Sequence, residues 1–164
     1  MFMSSRTADV KDTAYQFLAA NRIAALATVD KAGEPHVATV DFAVREDLNL
    51  YFITRVEARK YQNLIDHPTV AMAITDEAGL STVQLTGQAR RVNDLDLEET
   101  IQSEIRRRRS DGATWLSRAP GVQLFERGES RELAIIRVEP IEMTLANFSA
   151  GLPEQTQPLF QKII

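Results

Sequence analysis

The chain has 164 residues, 44% of them hydrophobic and 26% charged, a formal net charge of -4 and no cysteine. That length and composition fit one globular domain with a real core, and the missing cysteine excludes disulfides, thiolate metal sites and thiol nucleophiles. The acidic balance argues against a general nucleic-acid binder, and no apolar run approaches the length of a membrane span.

Val10, Ala14, Phe17 and Leu18 recur at helical spacing, which predicts a helix over 8–20 with Thr7 as cap and Asn21 as stop. The period then changes. Ile23 to Val29 reads as a buried strand, closed by the turn sequence Asp30-Lys31-Ala32-Gly33-Glu34-Pro35. His36 to Arg45 alternates apolar and polar residues as a second strand, and Leu48 to Thr54 is a third.

After Thr54 a short turn leads to Arg59 and Lys60, which open a helix over 57–66 that stops before Pro68. A hydroxyl at a strand end, free amides at a helix N-terminus and two adjacent cations together make an anion site. Arg grips two oxygens at once and Lys adds a point charge, so a phosphate monoester such as the tail of flavin mononucleotide (FMN) suits it. Cations at an exposed helix N-terminus oppose the dipole by about 0.3–1 kcal/mol, and an anionic ligand removes that conflict.

Val70 to Ile74 is a fourth strand, and Ser81 to Val92 a long fifth containing Gly87, a place for a bulge or a close backbone approach. Residues 94–109 form a charged helix capped by Asp94, with Leu97, Ile101 and Ile105 as its buried stripe. Arg106 to Arg109 point in all directions around that helix and suit its C-terminal dipole, so they read as a solvated end. The segment 110–131 is irregular, with Trp115 and Phe125 among its apolar anchors, and Leu133 to Phe148 is a last strand bent at Pro140. The expected fold is mostly β with flanking helices. Six antiparallel strands close into a barrel, forming one domain over 1–164 with peripheral tails at 1–6 and 151–164.

No nucleophile elbow is present, and His36 and His67, the only histidines, have neither cysteine nor carboxylates at metal-ligand spacing. No metal is expected.

Several segments, in order and spacing, resemble the pyridoxamine 5′-phosphate oxidase-like, FMN-binding split-barrel superfamily. They are Ala25 to Val29, Gly33 to Val37, Tyr51 to Thr54 with Arg59-Lys60, Asn63 to Met72, Thr86 to Ala89 and Ala134 to Pro140. The resemblance implies a six-stranded split barrel and a homodimer with FMN at the subunit interface. It implies phosphate contacts from Thr54, Arg59 and Lys60, the strand Ala38-Thr39-Val40-Asp41 along the ring, and Thr82 and Gln84 near the ring or ribityl chain. Three departures matter. Ala58 stands where many relatives have serine, strand 36–41 lacks the basic residues that the vitamin B6 oxidases carry there, and the last strand lacks the Arg-x-His pair with which those enzymes hold substrate phosphate.

The expected function is therefore an FMN-dependent oxidoreductase acting on a small molecule, and not a B6 oxidase. The alternatives are a deazaflavin-dependent reductase and a non-catalytic flavin-binding or stress-related module. A cytoplasmic location is expected, with neither nucleic acid nor membrane as a partner.

Overall fold

Six alternating strands close into a barrel because each buries one face and each finds two neighbours. The computed structural model describes residues 4–76, 78, 80–110, 132–148 and 160–164, without the side chains of 4–9, 108–110 and 160. In chain order these form α1 (Ser4–Ala20), β1 (Ile23–Val29), β2 (Pro35–Val44), β3 (Leu50–Arg55) and α2 (Arg59–Asp66). Then follow β4 (Thr69–Asp76), β5 (Ser81–Arg91), α3 (Leu95–Ser110), β6 (Leu133–Asn147) and β7 (Phe160–Lys162). The sheet order is β3-β2-β1-β4-β5-β6-β7, and a further β3–β6 pairing closes six strands into an antiparallel barrel flanked by three helices.

The parity of each strand sets the interior. Ala24, Leu26 and Thr28 of β1 point inward with Val40, Phe42 and Val44 of β2, and with Leu50 and Phe52 of β3. Met72, Ile74, Val83, Leu85, Val138 and Met143 complete the same core, and α1 adds Ala14 and Leu18 to it. A second apolar cluster lies outside the barrel wall, where Ile101 and Ile105 of α3 cover Ala43, Tyr51 and Ile135.

Long β6 serves three partners. Its first half pairs with β3, most of its length with β5, and residues 144–146 with β7. The register slips between Thr86 and Gly87, which face Glu142 and Pro140, so one extra residue bulges from β6 where proline cannot donate to the ladder. Gly87 sits at this point with no room to spare. A Cβ built there would lie 2.5 Å from the Glu139 carbonyl oxygen.

Three boundaries differ from expectation. The first helix begins at Ser4, so Thr7 lies inside it rather than at its cap. The second begins at Arg59, because the backbone of 56–58 turns first, with the Ala58 N–H donating to the Arg55 carbonyl at 3.1 Å. The C-terminal residues, expected as a peripheral tail, supply a seventh strand that places Ile163 in the core. Trp115, Phe125 and the rest of 111–131 lie outside the described residues.

Candidate functional site

Helix α2 is fixed against the barrel by an inward hydroxyl. The Asn63 amide donates to Thr28 Oγ1 at 2.9 Å in a buried contact, and Leu64 enters the core beside it. This seats the N-terminus of α2 next to the end of β3, where Thr54 is buried with its hydroxyl 3.4 Å from the Arg55 carbonyl. Thr54 thus lies at the end of β3, and Arg59 and Lys60 open α2 five and six residues further along the chain.

The helix end is built without an internal anion. Its cap residue, Ala58, is extended and makes no side-chain cap hydrogen bond, and its first turn contains no acid. Helices ordinarily satisfy these amides with a Ser, Thr, Asp or Asn cap. Burial pulls the Lys60 ammonium below the usual lysine range, and neighbouring Arg55 adds repulsion in the same direction.

Arg59 is two-thirds exposed and reaches Asp30 across the β1–β2 turn, Nη2 to Oδ2 3.7 Å. Asp30 is itself held firmly. Its Oδ1 accepts from the backbone N–H of Ala32 at 2.9 Å and of Glu34 at 3.0 Å, and its Oδ2 meets His36 Nε2 at 3.1 Å. The Glu34 amide, and next the His36 ring, hold the Asp30 carboxyl below the ordinary carboxylate range. In the sequence Asp30 reads only as a turn residue and His36 only as the start of a strand. The spacing of the turn shows the Asx geometry, but no local pattern shows that it faces the second helix.

The other residues implied by the resemblance lie on β2 and β5. Along β2, Val40 points into the core, Asp41 is buried, Ala38 is half-buried and Thr39 is exposed on the outer wall opposite Ala25. Gln84 lines an outer-wall groove of about 560 Å³ together with Ala25, Ala27, Val37, Ala71, Ala73, Thr86, Glu142 and Thr144. That volume is in the range of small-ligand sites. Thr82 shares the face of Gln84 but turns back to its own hairpin, donating to the Ile74 carbonyl at 3.1 Å and meeting Thr75 Oγ1 at 3.3 Å.

Thr54, Arg59 and Lys60 do not line the groove. Ala27, at the groove, and Asp30, paired to Arg59, are three residues apart on one chain, roughly 10 Å at about 3.3 Å per residue. Among the described residues no group of three His, Asp or Glu side chains is arranged to hold a metal ion. No described helix is long and apolar enough to cross a membrane.

Comparison with known proteins places the chain in a family. No curated protein matches the chain. Among solved structures, it is similar to the conserved hypothetical protein Rv2991 from Mycobacterium tuberculosis, with TM-score 0.68 and 20% identity over 90% of this chain and 91% of that one. A putative pyridoxamine 5′-phosphate oxidase from Listeria innocua gives TM-score 0.63 and 20% identity over 82% and 95%. The general stress protein 26 from Bacillus anthracis str. Sterne gives 0.61 and 16% over 83% and 92%. At these identities the likeness shows the fold alone. The sequence pattern of the family described as pyridoxamine 5′-phosphate oxidase matches residues 10–145, most of the chain. The chain belongs to the pyridoxamine 5′-phosphate oxidase-like family.

Proposed function

We propose that the chain is an FMN-binding oxidoreductase that works as a homodimer on a small molecule other than a vitamin B6 phosphate. The observation that carries this reading is the N-terminus of α2. It has no capping side chain and no acid, and it stands beside a buried hydroxyl and a lysine whose charge is poorly solvated. A phosphate dianion would give the uncapped amides an acceptor and Lys60 a counter-charge.

In this reading Thr54, Arg59, Lys60 and the first amides of α2 hold the phosphate. The outer wall of β1 and β2, with Thr39 exposed beside Ala25, offers the ring a flat, small-residue surface, and Gln84 supplies a polar contact from β5. The β2 backbone over Ala38 to Asp41 runs along this surface, with Val40 contributing only its main chain because its side chain is in the core. Bound flavin supplies the hydride chemistry, so the protein's part is binding, orientation and exclusion of water. A second subunit against the groove would complete that exclusion.

Arg55 beside Lys60 favours one further reading, a deazaflavin, whose longer anionic tail needs additional cations. The visible absorbance spectrum of freshly purified protein, before and after incubation with FMN and dialysis, tests the proposal. Retained flavin bands support it. A colourless protein that refuses FMN and binds deazaflavin replaces it with the second reading. Bound FMN that NADH or NADPH reduces, but that no acceptor reoxidises faster than oxygen does, points to a non-catalytic flavin-binding or stress-related module.

A further inference from the structure

We infer that Asp30 is the positioning residue for Arg59, presenting its guanidinium to the phosphate. The inference rests on the FMN reading above and assigns a role to a residue outside the cofactor contacts. Arg59 lies on the first turn of α2, where its side chain is largely exposed and has many rotamers to lose on binding an anion. Asp30 is the opposite kind of group. Two turn amides and His36 fix its carboxylate, so it is a rigid acceptor at the end of β1.

A guanidinium has five donors in a plane, and a contact through Nη2 alone leaves the others available for phosphate oxygens. The carboxylate thus restricts the arginine without consuming it. The alternative, that Asp30 repels the phosphate, is weaker on distance. The carboxylate faces Arg59 at 3.7 Å, close enough for that cation to offset its charge.

The same turn is tied to α2 a second time, by Lys31 Nζ to Asp66 Oδ1 at 3.3 Å. That pair provides a control, because it fastens the turn to the far end of the helix without touching Arg59.

The test is a double-mutant cycle on binding of FMN and of riboflavin, measured by flavin fluorescence on the full chain. Asp30→Asn keeps the Oδ1 acceptor for the turn amides and replaces Oδ2 with a donor that cannot hold Arg59. The expected result is an FMN affinity about three- to fivefold weaker, in line with an ion pair of this exposure, with riboflavin affinity unchanged. In an Arg59→Ala background Asp30→Asn should have no further effect. Lys31→Ala should leave the FMN-to-riboflavin ratio as in wild type.

Equal FMN affinity in Asp30→Asn, tighter binding, or additive losses with Arg59→Ala would each overturn the inference while the phosphate site stands. So would a fall in riboflavin affinity that parallels the fall for FMN, since that marks a general loss of structure. An Arg59→Ala variant that binds FMN like wild type overturns both the inference and the phosphate site beneath it.

Discussion

Lys60 shows at the level of one residue how a binding site conflicts with folding. Its pKa is lowered first by burial and then by Arg55, so the folded protein binds its proton less well than the unfolded chain does. The unfavourable charge is fully present below the lowered value, and stability rises with pH until the ordinary value of 10.5 is passed. Lys60→Met keeps the apolar stem and removes the charge. It should raise the melting temperature at neutral pH and weaken FMN binding, a trade typical of functional sites. A bound phosphate should restore the proton to Lys60, so FMN binding should take up protons at alkaline pH. Calorimetry in buffers of different ionisation enthalpy reads this directly, and buffer-independent heats would separate Lys60 from the phosphate. Arg59→Ala combined with Lys60→Ala should weaken FMN by a few kcal/mol, at about 1.5–3 kcal/mol for each charge-assisted hydrogen bond. Riboflavin affinity serves as the reference, and unchanged FMN affinity would misplace the site. The candidate trio was visible in the sequence because Thr54, Arg59 and Lys60 fall within seven residues that span a strand, a turn and a helix start. Asp30 was not, because its pairing with Arg59 depends on how β1 and α2 are packed.

Elements are placed by a few contacts that local pattern does not announce. The strands were legible because inward and outward residues alternate, and α3 because Asp94 caps it, accepting from the amides of Asp96 at 3.1 Å and Leu97 at 3.2 Å. The seat of α2 depends instead on Asn63 and Thr28, 35 residues apart. Thr28→Val preserves shape and leaves the Asn63 amide buried without its acceptor, at a cost of about 1–3 kcal/mol. Denaturant unfolding should show the loss as a lower midpoint, and an unchanged midpoint would mean that Asn63 finds another partner. Gly87 is a similar case on β5. The obstacle to a side chain is the Glu139 backbone, whose carbonyl oxygen lies 2.5 Å from the Cβ position and cannot rotate away as a side chain could. Gly87→Ala should destabilise by about 1–3 kcal/mol, the usual cost of overpacking a close contact.

For the whole molecule, the two sides of the barrel's outer wall are finished differently. On one side α3 covers Ala43, Tyr51 and Ile135, and these are nearly inaccessible. On the other, Ala25, Ala27, Ala71 and Ala73 form a small-residue face bordered by Val37, which is 74% exposed. Alanine on two adjacent strands lets another surface approach the sheet closely, while Gln84, Thr86 and Thr144 keep hydrogen-bonding groups at its margin. An apolar groove with a polar rim is how a protein surface is built for burial against a partner. If the proposed homodimer uses this wall, Ala73→Arg places a long cation in the middle of the interface without touching the core, because Ala73 points away from it. Sedimentation velocity should then show wild-type dimers and mutant monomers of unchanged melting cooperativity. FMN affinity should fall together with the dimer, although Thr54, Arg59 and Lys60 remain intact. A mutant that stays dimeric would put the subunit contact on another face. A monomer that still binds FMN at wild-type strength would show that one chain holds the cofactor alone, and would remove the interface from the flavin site.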